Sequence, residues 1–106
     1  MTYVVTARWT AKPGNEEAVA EAIEKLAVPS RQESGCVRYL ANRSLEDGRV
    51  FLLYEEYVDE EAFKAHAESE HFKRFGLGEG IPLLESRVRE AYEPFAIPAP
   101  EPDRRG

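Results

Sequence analysis

The sequence predicts an α+β fold of order β-α-β-β-α-β, a ferredoxin-like sheet of four antiparallel strands with both helices on one side. Three observations lead there. Four segments alternate apolar and polar residues with the period of a strand, and two segments between them repeat apolar residues at helical spacing. The length, 106 residues, suffices for one core and leaves no room for a second. Residues 1–93 are assigned to this domain and residues 94–106 to a tail.

Tyr3 to Thr10 reads as the first strand: Tyr3, Val5, Ala7 and Trp9 point one way, and Val4, Thr6, Arg8 and Thr10 the other. Lys12-Pro13-Gly14-Asn15 is a turn, with Asn15 placed to cap a helix whose first turn holds Glu16 and Glu17 at the positive end of its dipole. Val19, Ala22, Ile23 and Leu26 define the buried face of that helix. It is expected to reach Val28, to be kinked or interrupted by Pro29, and to terminate at Gly35 after a last turn over Ser30 to Ser34. Cys36 to Ser44 and Arg49 to Tyr57 read as antiparallel strands joined through Leu45-Glu46-Asp47-Gly48.

Asp59 is a second helix cap, followed by Glu60 and Glu61 and by a face of Ala62, Phe63, His66 and Ala67. Ser69 can cap a short further turn carrying Phe72 and Phe75. Gly76-Leu77-Gly78-Glu79-Gly80 reads as a mobile loop, a candidate lid, before the last strand, Leu84 to Tyr92. Its glycine spacing is not that of a phosphate loop, because no strand leads into it. Pro94, Pro98, Pro100 and Pro102 predict an extended or disordered arm.

Composition narrows the function. No apolar run approaches the length of a membrane span and the first residues lack the blocks of a signal peptide, so a cytoplasmic protein is expected, with no membrane partner. The single cysteine, Cys36, excludes an intrachain disulfide and a thiolate zinc site, and with no base near it in sequence it reads as a small buried hydrophobe. Twenty acids against 14 lysines and arginines give a net charge of −6, which argues against nucleic acid as a partner. The third strand is apolar on both faces, with Phe51, Leu53 and Tyr57 on one and Val50, Leu52 and Tyr54 on the other. Two helices cover only one face, so the other is expected to pair with a second copy in a homodimer joined through the sheets.

Residues able to do chemistry are few. His66, on the apolar face of the second helix, can exchange a proton near neutral pH or serve as a structural histidine. Its spacing from His71 is not that of two metal ligands on one helical face, so no metal site is expected. Glu55 lies between Leu53 and Tyr57 on an apolar strand face, where a carboxylate needs a partner: His66, or one of Arg8, Arg38 and Arg87. Trp9, Tyr39, Tyr54, Tyr57, Phe63 and Phe72, with Leu53, can line a pocket for a flat aromatic ligand or pack as ordinary core.

Four stretches in order, Gly14, Ser30-Arg31-Gln32-Glu33-Ser34-Gly35-Cys36-Val37-Arg38-Tyr39, Phe51-Leu52-Leu53-Tyr54-Glu55-Glu56-Tyr57 and Ala65-His66-Ala67-Glu68-Ser69-Glu70-His71-Phe72, resemble the antibiotic biosynthesis monooxygenase domain of the dimeric α/β-barrel superfamily. The resemblance covers roughly residues 2 to 93 and is strongest to quinol monooxygenase-like members. It implies a dimeric α/β barrel, a pocket between sheet and helices in each protomer, and oxidation of a quinol or polyphenolic aromatic by molecular oxygen without flavin, haem or metal. By the same resemblance His66 is the base, Glu55 its orienting or relay carboxylate, and Tyr57 and His71 are donors near the oxygen-bearing intermediate.

Departures from the family's subgroups are informative. Haem-degrading members carry an asparagine, a tryptophan and a histidine where this chain has Ala7, Tyr57 and Gly76, so haem degradation is not implied. Anthrone oxidases carry an asparagine and a tyrosine where Leu53 and Phe63 stand, so their specific mechanism does not transfer. Two other readings fit the residues: an isomerase moving a proton with His66 and Glu55, and a non-catalytic module sequestering a hydrophobic metabolite.

Overall fold

The computed structural model describes residues 1–100 of the chain. In chain order the elements are β1 (Tyr3–Ala11), α1 (Glu16–Arg31), β2 (Cys36–Arg43), β3 (Val50–Tyr57), α2 (Glu60–Ala67), a π-helical segment (Phe72–Gly80), a 3-10 turn (Ile81–Leu83) and β4 (Leu84–Tyr92). The strands form one sheet in the order β2-β3-β1-β4, with every neighbouring pair antiparallel. β1 and β2 therefore run parallel with β3 between them, so α1 must cross over β3, and α2 with the π-helix crosses over β1 in the same way. This is the ferredoxin-like α+β arrangement, with its helical elements on one face.

Period-2 alternation builds the core. Val5, Ala7, Trp9 and Ala11 of β1 are buried, beside Phe51, Leu53, Glu55 and Tyr57 of β3. Val19, Ile23, Leu26 and Ala27 of α1 close over them. Leu26, fully buried, contributes roughly 1.5–3 kcal/mol by leaving water. The opposite face is open: Leu40, Leu52 and Val88 are 46%, 38% and 51% exposed there, interleaved with Arg8 and the Arg38–Glu56 ion pair. β4 is exposed along nearly its whole length. Residues 94–100 carry no regular secondary structure and are exposed, and the rest of the expected arm, 101–106, lies outside the described residues.

Three local expectations are corrected. α1 passes through Pro29 to Arg31 instead of breaking there. The carbonyl that the proline leaves without a donor belongs to Lys25, an exposed residue, and the buried Ser30 hydroxyl ties the last turn by donating to Leu26 O at 2.7 Å. Gly35 does not end the helix in a left-handed conformation, since Gly14 (φ 89°) is the only described residue with positive φ. Its role is close approach: a side chain there would collide with Ala62 Cβ of α2. At the other end of α1, Asn15 occupies the cap position without a side-chain bond, and Gly14 N–H donates to Glu16 Oε1 at 2.6 Å.

The third correction bears on the site. The glycine-rich stretch expected as a mobile loop is the second half of the π-helix, with Gly76 and Gly80 buried. A Cβ on Gly80 would stand 2.8 Å from Trp9 Cζ3 and 3.4 Å from Ala22 Cβ. The glycine thus lets the segment lie on β1 and α1 and hold the Trp9 ring. Gly80→Ala is expected to lower stability by about 1–3 kcal/mol through overpacking against a rigid ring, read as a fall in the denaturant midpoint. An unchanged midpoint would mean that the segment moves freely.

Candidate active site

The helical layer does not seal against the sheet. A cavity of about 380 Å³ lies between them, with Ala7 and Trp9 of β1, Leu53 and Glu55 of β3 and Tyr39 of β2 as its floor. Phe63, His66 and Ala67 of α2 and Phe72 and Leu77 of the π-helix form the roof, and Arg87 and Arg89 of β4 stand at its outer side. The alternation that buries β1 and β3 also aims these side chains, because Val5, Glu55 and Tyr39 sit in register across β1, β3 and β2. Trp9, Tyr39, Leu53, Glu55, Phe63, His66 and Phe72, all singled out from the sequence, converge on this cavity.

Tyr57 and His71 do not line it; each stands behind a carboxylate. The Tyr57 hydroxyl donates to Glu55 Oε1 at 2.6 Å, and His71 Nε2 is bonded to Glu33 Oε2. Tyr54 lies on the other face of the sheet, its hydroxyl donating to Glu56 Oε1 at 2.9 Å. No arginine pairs with Glu55 among the described residues; Arg38 pairs with Glu56 instead.

His66 is 2% exposed and set among the rings of Tyr39, Tyr57 and Phe72, at centroid distances of 5.7, 5.6 and 5.4 Å. Its Nδ1–H donates to Glu33 Oε2 at 2.8 Å, which selects the tautomer with the lone pair on Nε2. That nitrogen lies 3.8 Å from Glu55 Oε1, close enough for one substrate group to touch both. Burial holds the imidazole below its ordinary pKa, with the Glu33 hydrogen bond and charge opposing the shift. His66 is therefore neutral, and able to accept a proton, at neutral pH.

Glu55 behaves in the opposite sense. Burial pushes its carboxyl up to about 7; the Tyr57 hydrogen bond pulls it down, the Glu33 charge raises it, and Arg89 lowers it. Near neutrality a buried acid thus stands beside a neutral imidazole, an arrangement that can take a proton from one atom and return it to another. Tyr57→Phe removes a hydrogen bond to the ionised carboxylate, so the titration of Glu55 is expected to move to higher pH, read from the carboxyl carbon shift in NMR. An unmoved titration would separate Tyr57 from Glu55.

Glu33 escaped the sequence reading. It follows α1, where Glu33 N–H donates to Ser30 O and Cys36 N–H to Glu33 O, and Val58 N–H donating to Gly35 O pins this turn to the end of β3. His71 meets Glu33 from the other side because α2 ends at Ala67 and Ser69 starts the next turn, its hydroxyl donating to His66 O and accepting from Phe72 N–H. The helical spacing argument against a His66–His71 pairing thus fails, since one helix does not carry both. Glu33, His66 and His71 offer donor atoms within 4.8 Å of one another, a set of the kind that can hold a metal ion, and here they are hydrogen-bonded through Glu33. The sequence hints at Glu33 only through its place in the turn just before the strand that carries Tyr39, within a stretch shared with the family. Cys36 is half-buried, and burial with the Glu33 and Glu55 charges pushes its thiol up to about 11, which disfavours the thiolate.

The profile of the antibiotic biosynthesis monooxygenase family matches residues 2–76. Among solved structures, PA3566 from Pseudomonas aeruginosa is 32% identical with a TM-score of 0.84, over 90% of this chain and 95% of that one. SO0527 from Shewanella oneidensis is 31% identical with a TM-score of 0.81, over 86% and 88%. A candidate antibiotic biosynthesis monooxygenase from Nitrosomonas europaea is 26% identical with a TM-score of 0.83, over 89% and 99%. No curated protein matches the chain.

Proposed function

This chain belongs to the antibiotic biosynthesis monooxygenase family, and from that premise we propose that it is a cofactor-independent monooxygenase oxidising a quinol or polyphenolic aromatic with molecular oxygen. The observation that carries the reading is His66 Nε2 set 3.8 Å from Glu55 Oε1 within a cavity lined by aromatic side chains. Chemistry of this kind needs a base, an acid and exclusion of water, because the substrate supplies the electrons.

In the proposed reaction His66 Nε2 takes the proton of a ring hydroxyl, and the electron-rich anion passes electrons to oxygen and forms a carbon–oxygen bond at the adjacent ring carbon. Protonated Glu55 delivers a proton to the resulting peroxide. Breaking the O–O bond with loss of water leaves a hydroxyquinone, so one oxygen atom enters the product and the other becomes water. Tyr39, Phe63 and Phe72 hold the ring, and Glu33 holds the tautomer of His66. Tyr57 tunes Glu55, and His71 steadies Glu33 from the side away from the cavity.

Oxygen uptake by chelator-treated protein against hydroquinones, naphthoquinols and anthrones tests this, with isotopically labelled oxygen expected in the product. Proton movement within a carbonyl compound by the same His66–Glu55 pair would consume no oxygen and would replace the monooxygenase reading. Ligand binding without turnover of either kind would leave a sequestering module.

We also place the enzyme in the cytoplasm as a homodimer joined through its open sheet faces. Exposure of Leu40, Leu52 and Val88 on that face supports this. Light scattering is expected to give twice the 12.0 kDa chain mass. A monomer at micromolar concentration would overturn it. Among the described residues no helix is long and apolar enough to cross a membrane.

A further inference from the structure

We propose that the cavity recognises an aromatic substrate bearing a permanent oxyanion, a carboxylate or a phosphate, through Arg87 and Arg89. The proposal rests on the cavity's being the substrate site and deepens that reading by naming the substrate class.

In a chain of net charge −6, the two cationic residues that line this cavity both come from β4. Arg38, Arg43 and Arg49 each form an ion pair with a glutamate or aspartate. Arg87 and Arg89 pair with no acid among the described residues. Registers explain where they point. Arg87 is opposite Trp9 and Arg89 opposite Ala7, so both leave the sheet on the face of the buried β1 side chains. The small Ala7 leaves room above it, and Arg89 is held with its guanidinium over the Phe63 ring, 5.2 Å from the centroid.

The two ends of the cavity therefore differ in charge. Glu55 and His66 belong to the β3 and α2 side, and both arginines come from β4, on the far side of β1 from β3. A fused two-ring aromatic held in the cavity can present a group to each. Its hydroxyl would meet His66 and Glu55 while an oxyanion on the distal ring meets the arginines, whose planar forks match carboxylate and phosphate alike. A neutral quinol would offer the guanidiniums no charged group. The field of the two guanidiniums also disfavours a substrate with an ammonium at that end.

The test is equilibrium binding, independent of turnover, with Trp9 as reporter because it is the single tryptophan and lines the cavity. The probes are a naphthol, the same naphthol carrying a carboxylate on the distal ring, and its distal phosphate counterpart, titrated into the full-length protein at low and high salt. One or both anionic probes are expected to bind about tenfold tighter than the naphthol, with the preference shrinking in salt; whichever binds tighter identifies the group. The double variant Arg87→Gln/Arg89→Gln, at exposed positions of an edge strand, is expected to lose the preference, binding the anionic probes no tighter than the neutral naphthol. Equal or tighter binding of the neutral naphthol by the unaltered protein overturns the proposal, as does a preference that survives in the folded double variant. An anion preference without oxygen uptake would leave this inference standing and the monooxygenase reading fallen; oxygen uptake without an anion preference would do the reverse.

Discussion

His66→Ala is expected to lower kcat/KM for oxygen-dependent turnover by about 10²–10⁴, the usual loss when a positioned general base is removed. The imidazole accepts a proton only because its surroundings hold it neutral and because Glu33, accepting from Nδ1, leaves the Nε2 lone pair facing the cavity. Substrate binding should change little, since the aromatic residues of the cavity remain, and Trp9 fluorescence checks this together with folding. Added imidazole should restore part of the rate by occupying the space left beside Glu33. A variant that binds substrate and turns it over at the unaltered rate would remove His66 from the mechanism.

Glu55→Gln is expected to act on two observables in opposite directions. Turnover falls, because an amide cannot protonate the peroxide, and the descending limb near pH 7 in the unaltered enzyme's pH–rate profile disappears. Stability, by contrast, rises on the alkaline side. A carboxyl whose folded pKa stands at about 7, above its ordinary 4.5, binds its proton more tightly in the fold than in the unfolded chain. Its contribution is thus fully present below pH 4.5, declines as pH rises, and is gone above about 7, where the ionised side chain costs about 3 kcal/mol. The groups facing it, Tyr57, Tyr39, His66, Glu33 and Arg89, are unchanged in the variant, and the glutamine oxygen can still accept the Tyr57 hydroxyl. The melting-temperature gain of the variant should therefore be small at pH 5 and large at pH 8. A gain that is the same at both would mean that Glu55 titrates normally in the fold.

Glu55 and His66 are legible in the sequence because each breaks a local pattern: a carboxylate within an apolar strand face, an imidazole on an apolar helix face. The strands, the Asp59 cap and the faces of both helices follow the same logic, since burial with period 2 or 3.6 is written into a few consecutive residues. Asp59 Oδ1 accepts from Ala62 N–H at 2.8 Å, as its type and position predict. The glycine stretch misleads for the complementary reason. Glycine signals freedom when read alone, whereas here its missing side chains let a helix lie against Trp9 and Ala22.

By itself, then, the sequence determined the order of elements, which face of each is buried, and the ionisable pair, Glu55 and His66, that meets in the cavity. Tertiary structure alone decided that Glu33 would bond His66 across 33 positions and His71 across 38, and that β4 would bring two arginines to the cavity. It also decided which of the aromatic residues face the cavity: Tyr39 does, Tyr57 stands behind Glu55, and Tyr54 lies on the open face. The reason is range. Periodic burial depends on neighbours along the chain, whereas a hydrogen bond between distant side chains depends on how turns, crossovers and register bring separate segments together.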